Sequence, residues 1–188
     1  MFIVFEGIDG SGKTSQVKKL GKYLSKEYDV VLTKEPTAGV IGKLIKNILA
    51  GKEQVDPKTL ALLFTADRYE HLKNEVIPAL NEEKIVICDR YYYSTLVYQM
   101  AQGVDETWIK ELNKYALVPN VTFFLDIQPD IALERTNQTD IFETKEFLNK
   151  IYDQYWAYNL IRINANRTKE EIANEIIEVT ELMLVLKK

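Results

Sequence analysis

The chain has 188 residues, 46% hydrophobic and 28% charged, which fits one globular domain with a sizeable core. A formal net charge of -4 excludes a surface built to coat nucleic acid, but not a local cationic pocket for one small phosphorylated ligand. The lone cysteine, Cys88, excludes an internal disulfide, and no run reaches the roughly 18 apolar residues of a membrane span. With no signal-peptide pattern either, the expectation is a cytoplasmic protein without membrane or nucleic-acid partners.

Short β-branched and aromatic runs alternate with longer amphipathic stretches, the pattern of an α/β domain around a parallel sheet. Strands are predicted at Phe2–Glu6, Val30–Lys34, Ile85–Asp89, Val121–Asp126 and Leu160–Asn164. Apolar runs such as Ile85-Val-Ile-Cys88 fit strands buried on both faces, which makes Cys88 a small core residue. Helices are predicted at Lys13–Lys26, Val40–Ala50, Thr59–Leu80, Tyr92–Ala101, Glu106–Leu117, Pro129–Thr136, Glu143–Tyr158 and Lys169–Leu186. Thr136–Asp140 reads as a polar loop between helices and Gly51–Asp56 as a surface turn; no linker or repeat divides residues 1–188.

The strongest chemical signal is Gly7-Ile8-Asp9-Gly10-Ser11-Gly12-Lys13-Thr14, a full Gly-x-x-x-x-Gly-Lys-[Ser/Thr] loop. Glycines open backbone conformations closed to other residues, so successive N–H groups can converge on phosphate oxygens. The helix starting at Lys13-Thr14-Ser15 turns its positive end toward the same anion. Lys13 is placed to reach the terminal phosphates of a nucleoside triphosphate, and the Thr14 hydroxyl to ligate Mg²⁺. The bare pattern occurs by chance in on the order of one such chain in a hundred. An apolar strand before it and a helical stretch after it supply the confirming context.

Other residues narrow the class. A guanine-reading Asn-Lys-x-Asp motif is missing, since Asn149-Lys-Ile-Tyr152 breaks it inside a predicted helix. Asp89 ends a buried strand where open α/β sheets bind ligands, and can hold Mg²⁺ through water. Beside it, Arg90 is a fixed cation suited to gripping a phosphate bidentately. Phe64 and Arg68 are four apart and share a helix face, a pair that on its own reads as a core aromatic and a surface arginine. Ser94, Thr95, Tyr98 and Gln99 follow on one helix. His71, the only histidine, reads as a surface or helix-end residue, since nothing near it in sequence suggests a catalytic base.

Several segments together resemble the thymidylate kinase family over nearly the whole chain. They are Phe2–Thr14 with Asp9 inside the loop, Thr33-Lys-Glu-Pro36, Leu62–His71, Asp89-Arg-Tyr-x-x-Ser94 and Tyr98-Gln99. The resemblance implies a P-loop fold with a five-stranded parallel sheet flanked by helices, a lid at about 136–142, a homodimer, and transfer of phosphate from MgATP to dTMP. It also implies that Asp9 bonds the acceptor sugar, that Arg90 grips the acceptor phosphate and that Lys34, Glu35 and Pro36 border the acceptor. By the same resemblance Phe64 stacks on the pyrimidine, Arg68 donates to its carbonyl edge, Tyr98 excludes a 2′-hydroxyl, and Arg167 lies on the adenine side. Two departures stand out. Lys34 replaces the family's usual arginine, and Gly10 and Ile141 occupy positions where an arginine commonly steadies the transferring group, which leaves Arg135 for that role. The rival readings are a kinase for another nucleoside or monophosphate, and a nucleotide-binding regulator without turnover.

Overall fold

The computed structural model describes residues 1–135 and 144–186. Five strands form the sheet: β1 (Phe2–Glu6), β2 (Val30–Lys34), β3 (Ile85–Asp89), β4 (Val121–Asp126) and β5 (Ile161–Asn164). All pairs are parallel, in the order β2-β3-β1-β4-β5. Every residue of β1 and β3 is buried, which explains their unbroken apolar runs. Ile3, Ile87, Phe123 and Ile163 meet in the main core, while Phe2, Val86 and Tyr91 serve the opposite face. Trimming a core residue such as Ile87 to alanine costs about 2–5 kcal/mol. Cys88 is fully buried, as its strand requires.

The helices are α1 (Lys13–Leu24), α2 (Val40–Leu49), α3 (Pro57–His71), α4 (Ile77–Asn81), α5 (Tyr92–Ala101), α6 (Glu106–Leu112), α7 (Pro129–Leu133), α8 (Lys145–Tyr155) and α9 (Lys169–Leu186). Among the described residues none is long and apolar enough to cross a membrane. The single helix predicted at Thr59–Leu80 is instead α3, a π-helical turn over Leu72–Val76, and α4. Pro78 has no N–H to give and its ring crowds the preceding turn. The backbone widens just before it, so that Ile77 N–H donates to Leu72 O. At the other end Asp56 caps Pro57–His71 by accepting from Lys58 N–H at 2.8 Å, two residues earlier than periodicity suggests. Helix α6 stops at Leu112 rather than Leu117, because the Asn113 side chain turns back to donate to Ile109 O. The expected lid at 136–142, with Ile141, lies outside the described residues.

β1 is the middle strand: the chain leaves it toward β3 and β2 on one side and returns to β4 and β5 on the other. The carboxyl end of such a strand is where open α/β sheets bind ligands. Here it runs directly into the glycine loop.

Candidate active site

Two glycines make the loop possible. Gly12, at φ 92°, sets the left-handed entry to α1, and Gly7, at φ 146°, has no room for a Cβ, which would lie 3.0 Å from Leu125 O and 2.9 Å from Ser11 Oγ. The Lys13 ammonium is buried under the loop, donating to Gly7 O at 3.0 Å and Ile8 O at 2.8 Å. Burial, followed by the Arg90 charge, lowers its pKa to about 8, against the pull of Asp9, Asp89 and Glu6. Ile8 sends its side chain into the core and offers only backbone. Thr14 donates to Asp89 Oδ2 at 2.5 Å, so the two residues expected to serve a metal are in contact.

Arg90 follows β3 with φ 71°, a conformation costly for a residue with a Cβ. It folds the side chain back over β1, where Nη1 donates to Gly7 O at 2.9 Å and Ser94 Oγ at 3.0 Å. Nη2 donates to Asp9 Oδ1 at 2.5 Å and Tyr98 Oη at 3.1 Å. Tyr98 in turn donates to Asp9 Oδ2 at 2.9 Å. Burial pushes the Asp9 carboxyl up, but the Arg90 and Lys13 charges and these hydrogen bonds prevail and bring it down to about 2.

A cleft of about 840 Å³ runs over the ends of β1, β2 and β3 to the start of α9. Lys13, Lys34, Lys46, Arg90, Arg135, Arg167 and Lys169 line it against the acids Asp9, Glu35 and Asp89. A cationic cleft in an acidic chain attracts anions. Gly10, Ser11, Gly12, Thr14, Ser15 and Pro36 complete the part of this wall named from sequence. Arg135 donates to Ala165 O at 3.4 Å, and Arg167 pairs with Glu175 while donating to Asn164 O at 3.0 Å.

A second pocket opens beside the first and shares Asp9, Glu35, Pro36, Leu49 and Arg90 with it. Its other walls are Phe64, Arg68, Tyr91, Ser94, Thr95, Tyr98 and Gln99. Arg68 is not a surface residue: it is 1% exposed and all three guanidinium nitrogens are engaged. Nε and Nη2 donate to Glu35 Oε2 at 2.9 and 2.7 Å, Nη2 also to Thr95 Oγ1 at 2.9 Å, and Nη1 to Asn113 Oδ1 at 2.5 Å. Gln99 is fully buried, with Oε1 lacking a partner among the described residues.

Sequence reasoning missed several participants. Lys46 on α2 lines the cleft and donates to Thr37 O at 2.7 Å; burial and then the Lys34 charge lower its pKa. Nothing in an amphipathic helix distinguished it from its exposed neighbours. Glu6 ends β1 fully buried, accepting from Tyr91 N–H at 2.9 Å, Ser94 Oγ at 2.5 Å and Tyr155 Oη at 3.0 Å. It thereby fixes α5 and α8 to the strand that carries the loop. A signal existed here, because a lone acid ending an otherwise apolar strand needs partners. His71 is a helix-end residue as expected, yet buried rather than superficial.

This parallel sheet, glycine loop and paired pocket are those of a P-loop nucleotide kinase. The family model described as thymidylate kinase matches residues 5–176. A probable thymidylate kinase of Methanocaldococcus jannaschii is 50% identical over 182 residues, 94% of each chain. Thymidylate kinases of Aster yellows witches'-broom phytoplasma and Onion yellows phytoplasma are each 48% identical, covering 94% and 78% of this chain and 94% and 72% of their own. The chain belongs to the thymidylate kinase family.

Proposed function

We propose that the chain transfers the γ-phosphoryl group of ATP to dTMP, producing ADP and dTDP for dTTP synthesis. The observation that carries this reading is the meeting of two pockets at Asp9 and Arg90: an anion-binding loop on one side, and a chamber with an aromatic wall on the other. In this reading the loop amides of Gly7–Thr14, Ser15 and Lys13 hold the triphosphate, and Arg167 borders the adenine. Arg90 grips the acceptor phosphate with help from Lys34 and Lys46. Asp9 and Tyr98 face the sugar, and Phe64, Arg68, Thr95 and Gln99 receive the base, with Glu35 and Pro36 shaping that wall. The unmet Gln99 acceptor suits a base N–H, and the one Arg68 N–H not engaged among the described residues, on Nη1, a carbonyl.

Thr14 and Asp89 offer hard oxygen donors 2.5 Å apart beside the anion loop. Among the described residues no group of three or more His, Cys, Asp or Glu side chains gathers as a metal cage. A cation completing its shell with phosphate oxygens and water fits such a set, and Mg²⁺ is that cation. When bound, it neutralises phosphate charge. The chain's own part is to align two anions and stabilise charge spread over the moving group through Lys13, Arg90 and Arg135. No side chain has to remove a proton.

The proposal extends to a single domain over residues 1–188, a cytoplasmic location and a homodimer. Exposed Val40, Leu44 and Leu62 on neighbouring helices supply an apolar face for a second copy, which light scattering after size exclusion tests. The function is tested by a coupled ADP-release assay across dTMP, dUMP, dCMP, AMP and thymidine. dTMP should give the highest kcat/KM, and a better monophosphate would replace it as the substrate.

A further inference from the structure

His71 plays no part in the reading above, yet it sits where it can shape acceptor recognition. It is the last residue of α3 and is 4% exposed. Its Nδ1 lies 3.1 Å from Glu35 Oε1, and its Nε2 lies 2.7 Å from Thr33 Oγ1 and 3.3 Å from Glu75 Oε2. The other oxygen of Glu35 accepts from Nε and Nη2 of Arg68. A carboxylate only accepts, so Nδ1 carries the proton toward Glu35. The result is a buried relay from His71 through Glu35 to the guanidinium that forms one wall of the acceptor pocket.

A carboxylate held at one oxygen can still pivot. With both oxygens engaged from opposite sides, its plane is set, and so is that of the guanidinium bonded to it. We propose that His71 is a positioning residue for the acceptor base, acting through Glu35 to hold Arg68 in the orientation that reads a pyrimidine carbonyl. The inference rests on the dTMP reading and deepens it. His71 lines neither pocket, so its loss should weaken acceptor recognition and leave donor binding alone.

The test compares H71N with H71Q, both polar and similar in bulk. Asparagine reproduces a donor at the Nδ1 position, glutamine one at the Nε2 position. H71N should keep KM for dTMP within about threefold of wild type, whereas H71Q should raise it about tenfold or more. KM for ATP and kcat should stay within about threefold in both. H71Q should also lose about tenfold of the preference for dTMP over dCMP, since a misaimed donor no longer separates a 4-carbonyl from a 4-amino group. Melting temperatures of both variants separate recognition from stability. Equal dTMP KM values for the two variants would overturn the proposal, whether both match wild type or both worsen. So would parallel losses in kcat and both KM values. Failure of the wild-type protein to phosphorylate dTMP would overturn the function itself, and this inference with it.

Discussion

Thr14 donates its hydroxyl to Asp89 across 2.5 Å, joining the first turn of α1 to the end of β3. The contact brings together two oxygens from residues 75 apart in sequence at the mouth of the anion loop. Asn at position 89 can still accept from Thr14 but carries no charge, so D89N isolates the electrostatic contribution. It should raise the Mg²⁺ concentration needed for half-maximal rate about tenfold or more and lower kcat about a hundredfold. Titrating Mg²⁺ at saturating nucleotide measures both. An unchanged Mg²⁺ dependence would remove Asp89 from cation binding.

Lys13 should make ATP affinity depend on pH. Its ammonium has a pKa of about 8 in the folded protein against an ordinary 10.5. Between these values the unfolded chain binds more protons than the folded one, so this residue's cost to stability is greatest below pH 8 and fades as pH rises. Binding a polyphosphate favours the charged form, so above pH 8 association must take up a proton. The ATP dissociation constant should therefore rise by up to about tenfold per pH unit from pH 8 upward, and the K13M variant should lack that slope. Calorimetric titration between pH 7 and 10 checks it.

Asp9 favours the fold where Lys13 disfavours it, and both make stability rise with pH. Its folded pKa of about 2 lies below the ordinary 3.8, so its contribution to stability is present above pH 3.8 and is lost as pH falls toward 2. Melting temperatures measured between pH 4 and 2 should fall less steeply for D9N than for wild type. Identical slopes would mean that the Arg90 pairing adds nothing to acid stability.

Arg135 lines the cleft and donates to Ala165 O at 3.4 Å. R135A should lower kcat about tenfold or more with little change in either KM, because charge stabilisation is needed mainly in the transition state. Turnover within about threefold of wild type would take Arg135 out of the mechanism.

The five strands were legible in sequence because strands buried on both faces leave no polar alternation to confuse them. Only the start of β5 moved, by one residue. The glycine loop was legible because its backbone demands particular residues at fixed spacing. The settings of Arg68 and His71 were not, since Arg68 meets Glu35 and Asn113 from 33 and 45 residues away and no local pattern encodes such a pairing. The π-helical turn before Pro78 was partly legible: the proline announced a disturbance, but periodicity ran through it.

The central claim is tested most directly by incubating the protein with dTMP, Mg²⁺ and ATP radiolabelled at the γ-phosphate, then separating the nucleotides. Label should enter dTDP at its β-phosphate with one ADP formed per dTDP, and R90A should abolish most of that transfer. Label appearing only as free inorganic phosphate, or remaining in ATP, would contradict it.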